Sequence, residues 1–195
     1  MSLSPNEAVQ TLGEIARTEK RSAEAHCYAN ASPGFILWGL IWMVGYSGSY
    51  LLLKYGLPRG INWLWFSLTA VGVVGSHLIG RYQYRHQNPG QQAEGRLIGF
   101  RFGMTFFAMF LFTVAAFTIM RPVSYAATGA FIPLLVSLAY AIFGIWRGLR
   151  FLYVGIAVAA LTMGGFLYLR EFFTLWMAFV GGGSLILVGL WLKKV

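Results

Sequence analysis

Aspartate is absent from the sequence, and glutamate occurs only six times in 195 residues. Charged side chains of both signs make up 11% of the chain, against about 25% in an ordinary soluble domain. Charge this sparse does not cover the surface of a water-soluble fold of this size. Cys27 is the single cysteine, which excludes an internal disulfide and a multi-cysteine metal centre. The first 30 residues contain no apolar run and carry Glu7, Glu14, Glu19 and Glu24. A cleavable signal peptide has the opposite character, so the first apolar span is expected to insert and remain.

Recognisable chemistry is equally scarce. HExxH, GxSxG and a phosphate-binding loop are all missing, as are paired carboxylates. Glu94 and Glu171 stand near the ends of apolar stretches, which leaves no carboxylate in mid-span. Proton- and cation-coupled carriers generally rely on such groups. His26 and Cys27 are adjacent, the pair a membrane enzyme would use, but no acid stands beside them to orient the imidazole. The expectation is no catalytic residue, no metal and no cofactor.

What the chain has in abundance is apolar surface: 57% of residues are hydrophobic, 17% are aromatic, and mean hydropathy is +0.63. A bilayer-crossing helix needs about 20 mostly apolar residues. Six segments qualify, at about 34–53, 61–80, 98–120, 125–146, 149–169 and 172–192. "FFAMFLFTVAAF" is apolar on every face, which excludes the alternation of a membrane β-strand. The expected fold class is all-α: a polytopic transmembrane bundle of six helices (34–195) preceded by an N-terminal cytosolic amphipathic helix and membrane entry (1–33).

The connections orient it. Arg17, Lys20, Arg21, Arg81, Arg85, Arg96, Arg101, Arg147, Arg150, Lys193 and Lys194 fall on one side, and Lys54, Arg59, Arg121 and Arg170 on the other. The excess of basic residues marks the cytoplasmic side. Both termini are therefore expected in the cytoplasm, and the protein in a bacterial inner (plasma) membrane as a multi-pass chain. Residues 1–33 are slightly acidic and the +9 net charge belongs to the membrane part. That distribution suits an anionic leaflet and gives no reason to invoke nucleic acid. Membrane lipids are the expected surroundings.

Between helices in lipid, small residues and polar contacts supply the adhesion. Small residues recur at four-residue spacing in every span, for example Gly45/Ser49 and Gly72/Ser76. They serve either packing within one bundle or a homo-oligomer interface. "VGGGS" at 180–184 places Gly181, Gly182 and Gly183 in the last span. The run marks a close helix crossing or an unwound, cavity-lining segment, and we expect the crossing. Pro133 removes a backbone hydrogen bond from the fourth span and should kink it near Gly129. Segments beginning at Pro33 and Pro133 align weakly, as the two halves of an inverted repeat would. "NPGQQ" in the longest polar connection reads as a turn.

"SPNE" at residues 4–7 has the form of a helix start, with Ser4 as cap, Pro5 at the first helical position and Glu7 completing a capping box. Val9, Leu12, Ile15 and Ala16 then share a face. A helix is expected over 5–28, docking on the protein's own cytosolic loops, on a dimer mate, or on a cytosolic or membrane protein partner. Its near-neutral charge differs from the Lys/Arg-rich face of a membrane-surface helix.

One constellation points to a ligand. In "GSHLIGRYQYRHQ", His77, Arg81 and Arg85 fall at i, i+4 and i+8, on one face if the second span continues as a helix. Arg101 enters at the same depth. Together they form a candidate pocket for an anion or lipid headgroup. The plainer alternative is arginines snorkelling toward the interface.

"YANASPGFILWGLIWMVGY" near the start and "REFFTLWMAFVGGGSLILVGLWLKK" at the end resemble a family of small, uncharacterised bacterial six-span integral membrane proteins. The resemblance spans most of the chain and implies the same fold; it carries no activity, substrate or catalytic residue. Three functions are weighed. The first is a non-enzymatic membrane protein acting as sensor, scaffold or accessory subunit through its cytosolic face. The second is a small channel or transporter for an anionic or lipid-like substrate. The third, a membrane enzyme, has the least in its favour.

Overall fold

The computed structural model describes residues 5–87, 89–121 and 124–194. Among them all regular structure is helical, in six helices long and apolar enough to cross a bilayer. α1 runs Pro5–Lys54, α2 Arg59–Arg85, α3 Pro89–Met120, α4 Tyr125–Arg147 and α5 Leu149–Tyr168. α6, Arg170–Lys193, is composite: a 3₁₀ turn (Arg170–Phe172), one α-turn (Phe173–Trp176), a π-helical stretch (Met177–Gly182) and a closing α-helix (Gly183–Lys193).

Two boundaries differ from expectation. The N-terminal helix does not stop before the first span: α1 is one helix of 50 residues with Pro33 inside it. Proline is tolerated in such a helix when neighbouring groups satisfy the backbone it disturbs. Gln83 of α2 donates to the Asn30 carbonyl at 2.8 Å, one residue beyond the Ala29 carbonyl that Pro33 cannot reach. The proposed capping pair, Ser4 and the Glu7 side chain, lies outside the described residues. The second difference is "NPGQQ". Asn88 lies outside the described residues, but Pro89 to Gln92 already belong to α3, and the turn is confined to the residues before them. Pro89 occupies the first helical position, where its missing N–H has no partner to lose.

The other ends follow local chemistry. Ser124 caps α4 by accepting from the Ala127 N–H at 3.1 Å. Gly148 alone joins α4 to α5, at φ +144°, a conformation that side-chain-bearing residues rarely adopt.

Four helices supply nearly the whole core. Phe35, Ile41, Trp42 and Tyr46 come from α1, Ala130 from α4, Phe151, Val154 and Val158 from α5, and Phe173, Met177, Leu185 and Leu192 from α6. α2 flanks α1, burying only Ile61 and Gly72. α3 stands outermost, held to α4 by ring contacts of Phe102 with Phe143 (4.9 Å) and Phe117 with Phe131 (5.2 Å). In lipid such a helix needs no further cover, since hydrocarbon is as apolar as its Phe and Leu side chains.

Pro133 is fully buried within α4, and the carbonyl it leaves without a helical partner is that of Gly129. The Tyr46 hydroxyl donates to that carbonyl at 2.7 Å. A side chain of α1 thus replaces the hydrogen bond that α4 cannot make, which turns a local defect into an inter-helix contact.

The α1–α2 hairpin is built on a repeat that the proline alignment does not reveal. Residues 37–49 read LWGLIWMVGYSGS and residues 64–76 read LWFSLTAVGVVGS. Both begin Leu-Trp and end Gly-x-x-Gly-Ser. In space each Leu-Trp pair fills the other segment's glycines. A Cβ on Gly45 would meet the Trp65 ring at 2.7 Å and one on Gly48 would meet Leu64 at 2.7 Å. Reciprocally, one on Gly72 would meet Trp38 at 2.8 Å and one on Gly75 would meet Leu37 at 2.8 Å. The indole N–H groups complete the exchange, Trp65 donating to the Ser49 hydroxyl at 3.1 Å and Trp38 to the Ser76 hydroxyl at 3.2 Å. Large residues entering holes left by small ones give close approach without a hydrophobic driving force.

Candidate functional site

α1 and α6 touch backbone to backbone along an antiparallel seam. A Cβ on Gly182 would lie 2.8 Å from the Gly39 carbonyl, and one on Gly39 would lie 2.8 Å from the Gly182 carbonyl. Seven residues along each helix the contact repeats: Ser32 donates to the Gly189 carbonyl at 2.7 Å, and a Cβ on Gly189 would lie 2.9 Å from the Ser32 carbonyl. The glycine run sits at this seam and its three members differ. Gly182 makes the close contact, Gly181 is buried with the Met177 methyl as its nearest neighbour (2.9 Å from an added Cβ), and Gly183 has nothing within 4 Å. The π-helical stretch ends here, with the Gly183 N–H shared between the Phe179 and Val180 carbonyls. π-bulges of this kind are frequent at functional sites.

Below the seam, at the end of the bundle where the chain turns from α4 to α5, an open cavity of about 520 Å³ lies between α1 and that turn. Arg21, Glu24 and Tyr28 of α1, Trp146 of α4, Gly148 of the turn and Arg150 of α5 line it. The site forms because Gly148 permits a one-residue turn. A side chain there would overlap the Tyr28 hydroxyl, so glycine also leaves room for that phenol. Arg150 is held on both sides: its guanidinium carbon is 5.2 Å from the Tyr28 ring centroid and 4.8 Å from that of Trp191. Such cation–π contacts fix the plane of the group. Its Nη1 is buried with no hydrogen-bond partner, while the side chain as a whole is half-buried.

The residues singled out from the sequence are dispersed. His77, Arg81 and Arg85 do share α2, which continues unbroken to Arg85, and all three are exposed. Arg101 is also exposed and lines a different groove of about 330 Å³ between α3 and α4, among Phe102, Phe106, Leu135 and Phe143. Val9, Leu12, Ile15 and Ala16 are all exposed, so none of the described helices covers the apolar row of α1. His26 is exposed and Cys27 half-buried against the core. Among the described residues no group of three or more His, Cys, Asp or Glu side chains is gathered where it could hold a metal.

Sequence reasoning missed Arg150, Tyr28 and Trp191, as well as the seam partners Ser32, Gly39 and Gly189. One signal was available: a single glycine between two apolar spans, with an arginine two residues on, demands a tight turn with a cation at its mouth. No protein-family model, no curated protein and no solved structure matches the chain.

Proposed function

We propose that the chain is a non-enzymatic multi-pass protein of a bacterial inner membrane, with both termini in the cytoplasm. It acts as a sensor, scaffold or accessory subunit, and the outer part of α1 is its contact with a protein partner. The observation that supports this reading is the apolar row on an unbroken helix: Val9, Leu12 and Ile15 are 71%, 65% and 49% exposed. From Pro5 to Cys27, ahead of the core residue Tyr28, α1 rises about 35 Å at ~1.5 Å per residue. An apolar row of this kind on an amphipathic helix is the usual element of helix-in-groove recognition. Continuity through Pro33 makes the segment a lever whose displacement reaches the α1–α6 seam directly.

The test places a photo-cross-linking residue at Val9, Leu12 and Ile15 in turn, in the full chain in native membranes. A discrete adduct, with itself or with another protein, is expected from each. If Leu12→Glu with Ile15→Glu alters neither adducts nor oligomeric state, the reading fails.

A second reading, a carrier for an anionic or lipid-like substrate, draws support from the α3–α4 groove, apolar along its length and with Arg101 in its lining. His77, Arg81 and Arg85 would serve as further basic contacts. Reconstituted vesicles decide it: transport of a fluorescent anionic lipid should fall in Arg101→Ala, and equal rates in both proteins would dismiss it.

A further inference from the structure

We propose that the cavity between α1 and the α4–α5 turn is a binding site for a phosphate ester that carries a free hydroxyl. The inference is independent of the partner reading above, because it concerns a ligand and a different set of residues.

Charge argues first for an anion. Two guanidinium groups, Arg21 from α1 and Arg150 from α5, line a cavity that holds one carboxylate, Glu24. No salt bridge among the described residues ties Glu24 to either arginine. Arg150 is the more informative of the two. Its Nη1 is enclosed without an acceptor, and its guanidinium lies near two rings, those of Tyr28 and Trp191. Ring faces stabilise a cation but do not neutralise it, and Arg150, half-buried in the cavity wall, keeps part of its side chain open to a ligand there.

Backbone geometry adds to the side chains. α5, a helix of 20 residues, begins at the cavity; its Arg150 N–H faces the Tyr28 hydroxyl and its Phe151 N–H bonds the Gly148 carbonyl at 3.1 Å. The positive end of the helix dipole favours anionic oxygens there, beside an arginine whose fork matches two oxygens of a phosphate. A tetrahedral phosphate, with more oxygens and more charge than a carboxylate, has acceptors for both arginines.

Glu24 refines the class. A bare phosphate beside a carboxylate is repelled by it, whereas a hydroxyl on the same ligand donates to it. A glycerol phosphate group supplies both features, and the volume of about 520 Å³ accommodates one. Two sources share this chemistry: the headgroup of a phosphatidylglycerol in the leaflet, and a soluble glycerol phosphate. Trp146 and Trp191, indoles at the end of the bundle, lie at the depth where a headgroup would sit.

The experiment uses the full-length protein purified in detergent and reads two probes. Native mass spectrometry measures adducts with phosphatidylglycerol and with phosphatidylcholine, which lacks the hydroxyl. Thermal unfolding measures stabilisation by millimolar glycerol 3-phosphate. Wild type is expected to take up phosphatidylglycerol at least about tenfold in preference to phosphatidylcholine if the source is lipid, or to be stabilised by glycerol 3-phosphate if the source is soluble. Arg21 is exposed on α1, so Arg21→Gln keeps the fold and should weaken whichever probe binds by about tenfold, the effect of losing one charge-assisted contact. Arg150→Lys, which keeps the charge and loses the planar fork, should fall between wild type and Arg150→Gln. Binding of neither probe, or binding that is equal in wild type and Arg21→Gln, overturns the proposal.

Discussion

Three consecutive glycines that look interchangeable in the sequence should respond in three different ways to alanine. At Gly182 the new methyl would lie 2.8 Å from the Gly39 carbonyl oxygen, 2.9 Å from the Met43 nitrogen and 2.6 Å from the Met43 side chain. Two of those atoms are backbone of α1, so relief requires the α1–α6 seam to open. Forced overpacking of this type is destabilising by about 1–3 kcal/mol. At Gly181 the nearest atom is the end of the flexible Met177 side chain at 2.9 Å, which can swing aside, and the expected loss is under about 1 kcal/mol by the same reasoning. At Gly183 nothing lies within 4 Å. Alanine there gains helix propensity, up to about 1 kcal/mol on the aqueous scale, and is expected to be neutral or stabilising. The assay is thermal unfolding in one detergent, followed by tryptophan fluorescence and helical circular dichroism. The order of stability should be Gly183→Ala, then Gly181→Ala, then Gly182→Ala. Equal effects at all three positions, or Gly183→Ala as the least stable, would falsify the reasoning from the seam.

Further outcomes follow from other contacts. Tyr46→Phe leaves the half-buried Gly129 carbonyl without a donor and should destabilise by about 1–3 kcal/mol. The loss should shrink in a Pro133→Ala background, where the helix supplies its own N–H; a double-mutant cycle with no coupling would refute the substitution of one bond for the other. Trp38→Phe and Trp65→Phe each remove one indole hydrogen bond to a serine and should lower the unfolding temperature by similar amounts, with clearly unequal shifts counting against the reciprocal exchange.

Much of the helical architecture was legible because long stretches nearly free of charge alternate with basic connections. The fourth and fifth spans, read at 125–146 and 149–169, correspond closely to the observed Tyr125–Arg147 and Leu149–Tyr168. Helix outside the apolar stretches was harder to read. The extension of α3 back to Pro89 reads PGQQAEGRL; its Gln, Ala and Glu are good helix formers, but its two glycines are not, and no apolar period marks it. α1 continues through Pro33 beside a bond from Gln83 to the Asn30 carbonyl, 53 residues away in the chain, a contact that no local pattern shows. The glycine run was readable as a crossing, but which glycine carries the contact depends on the register against Gly39. The basic cavity was hidden for the same reason. Arg21, Arg150 and Trp191 are far apart in the chain, and each alone looks like an ordinary interface residue.

The reciprocal hairpin has a consequence for how the chain is made. Each half of the α1–α2 pair is both key and lock, so the pair satisfies its own small-residue surface and leaves none of those positions for a second copy. Only four residues, Tyr55 to Pro58, separate the two helices, and Gly56 takes the left-handed conformation (φ +69°) that such a reversal requires. A tether this short gives α2 a large advantage over any other chain as the partner of α1. α1 and α2 are synthesised ahead of α3 to α6, so they can close on each other before those helices exist and would present α4 and α6 with a finished template on which to assemble.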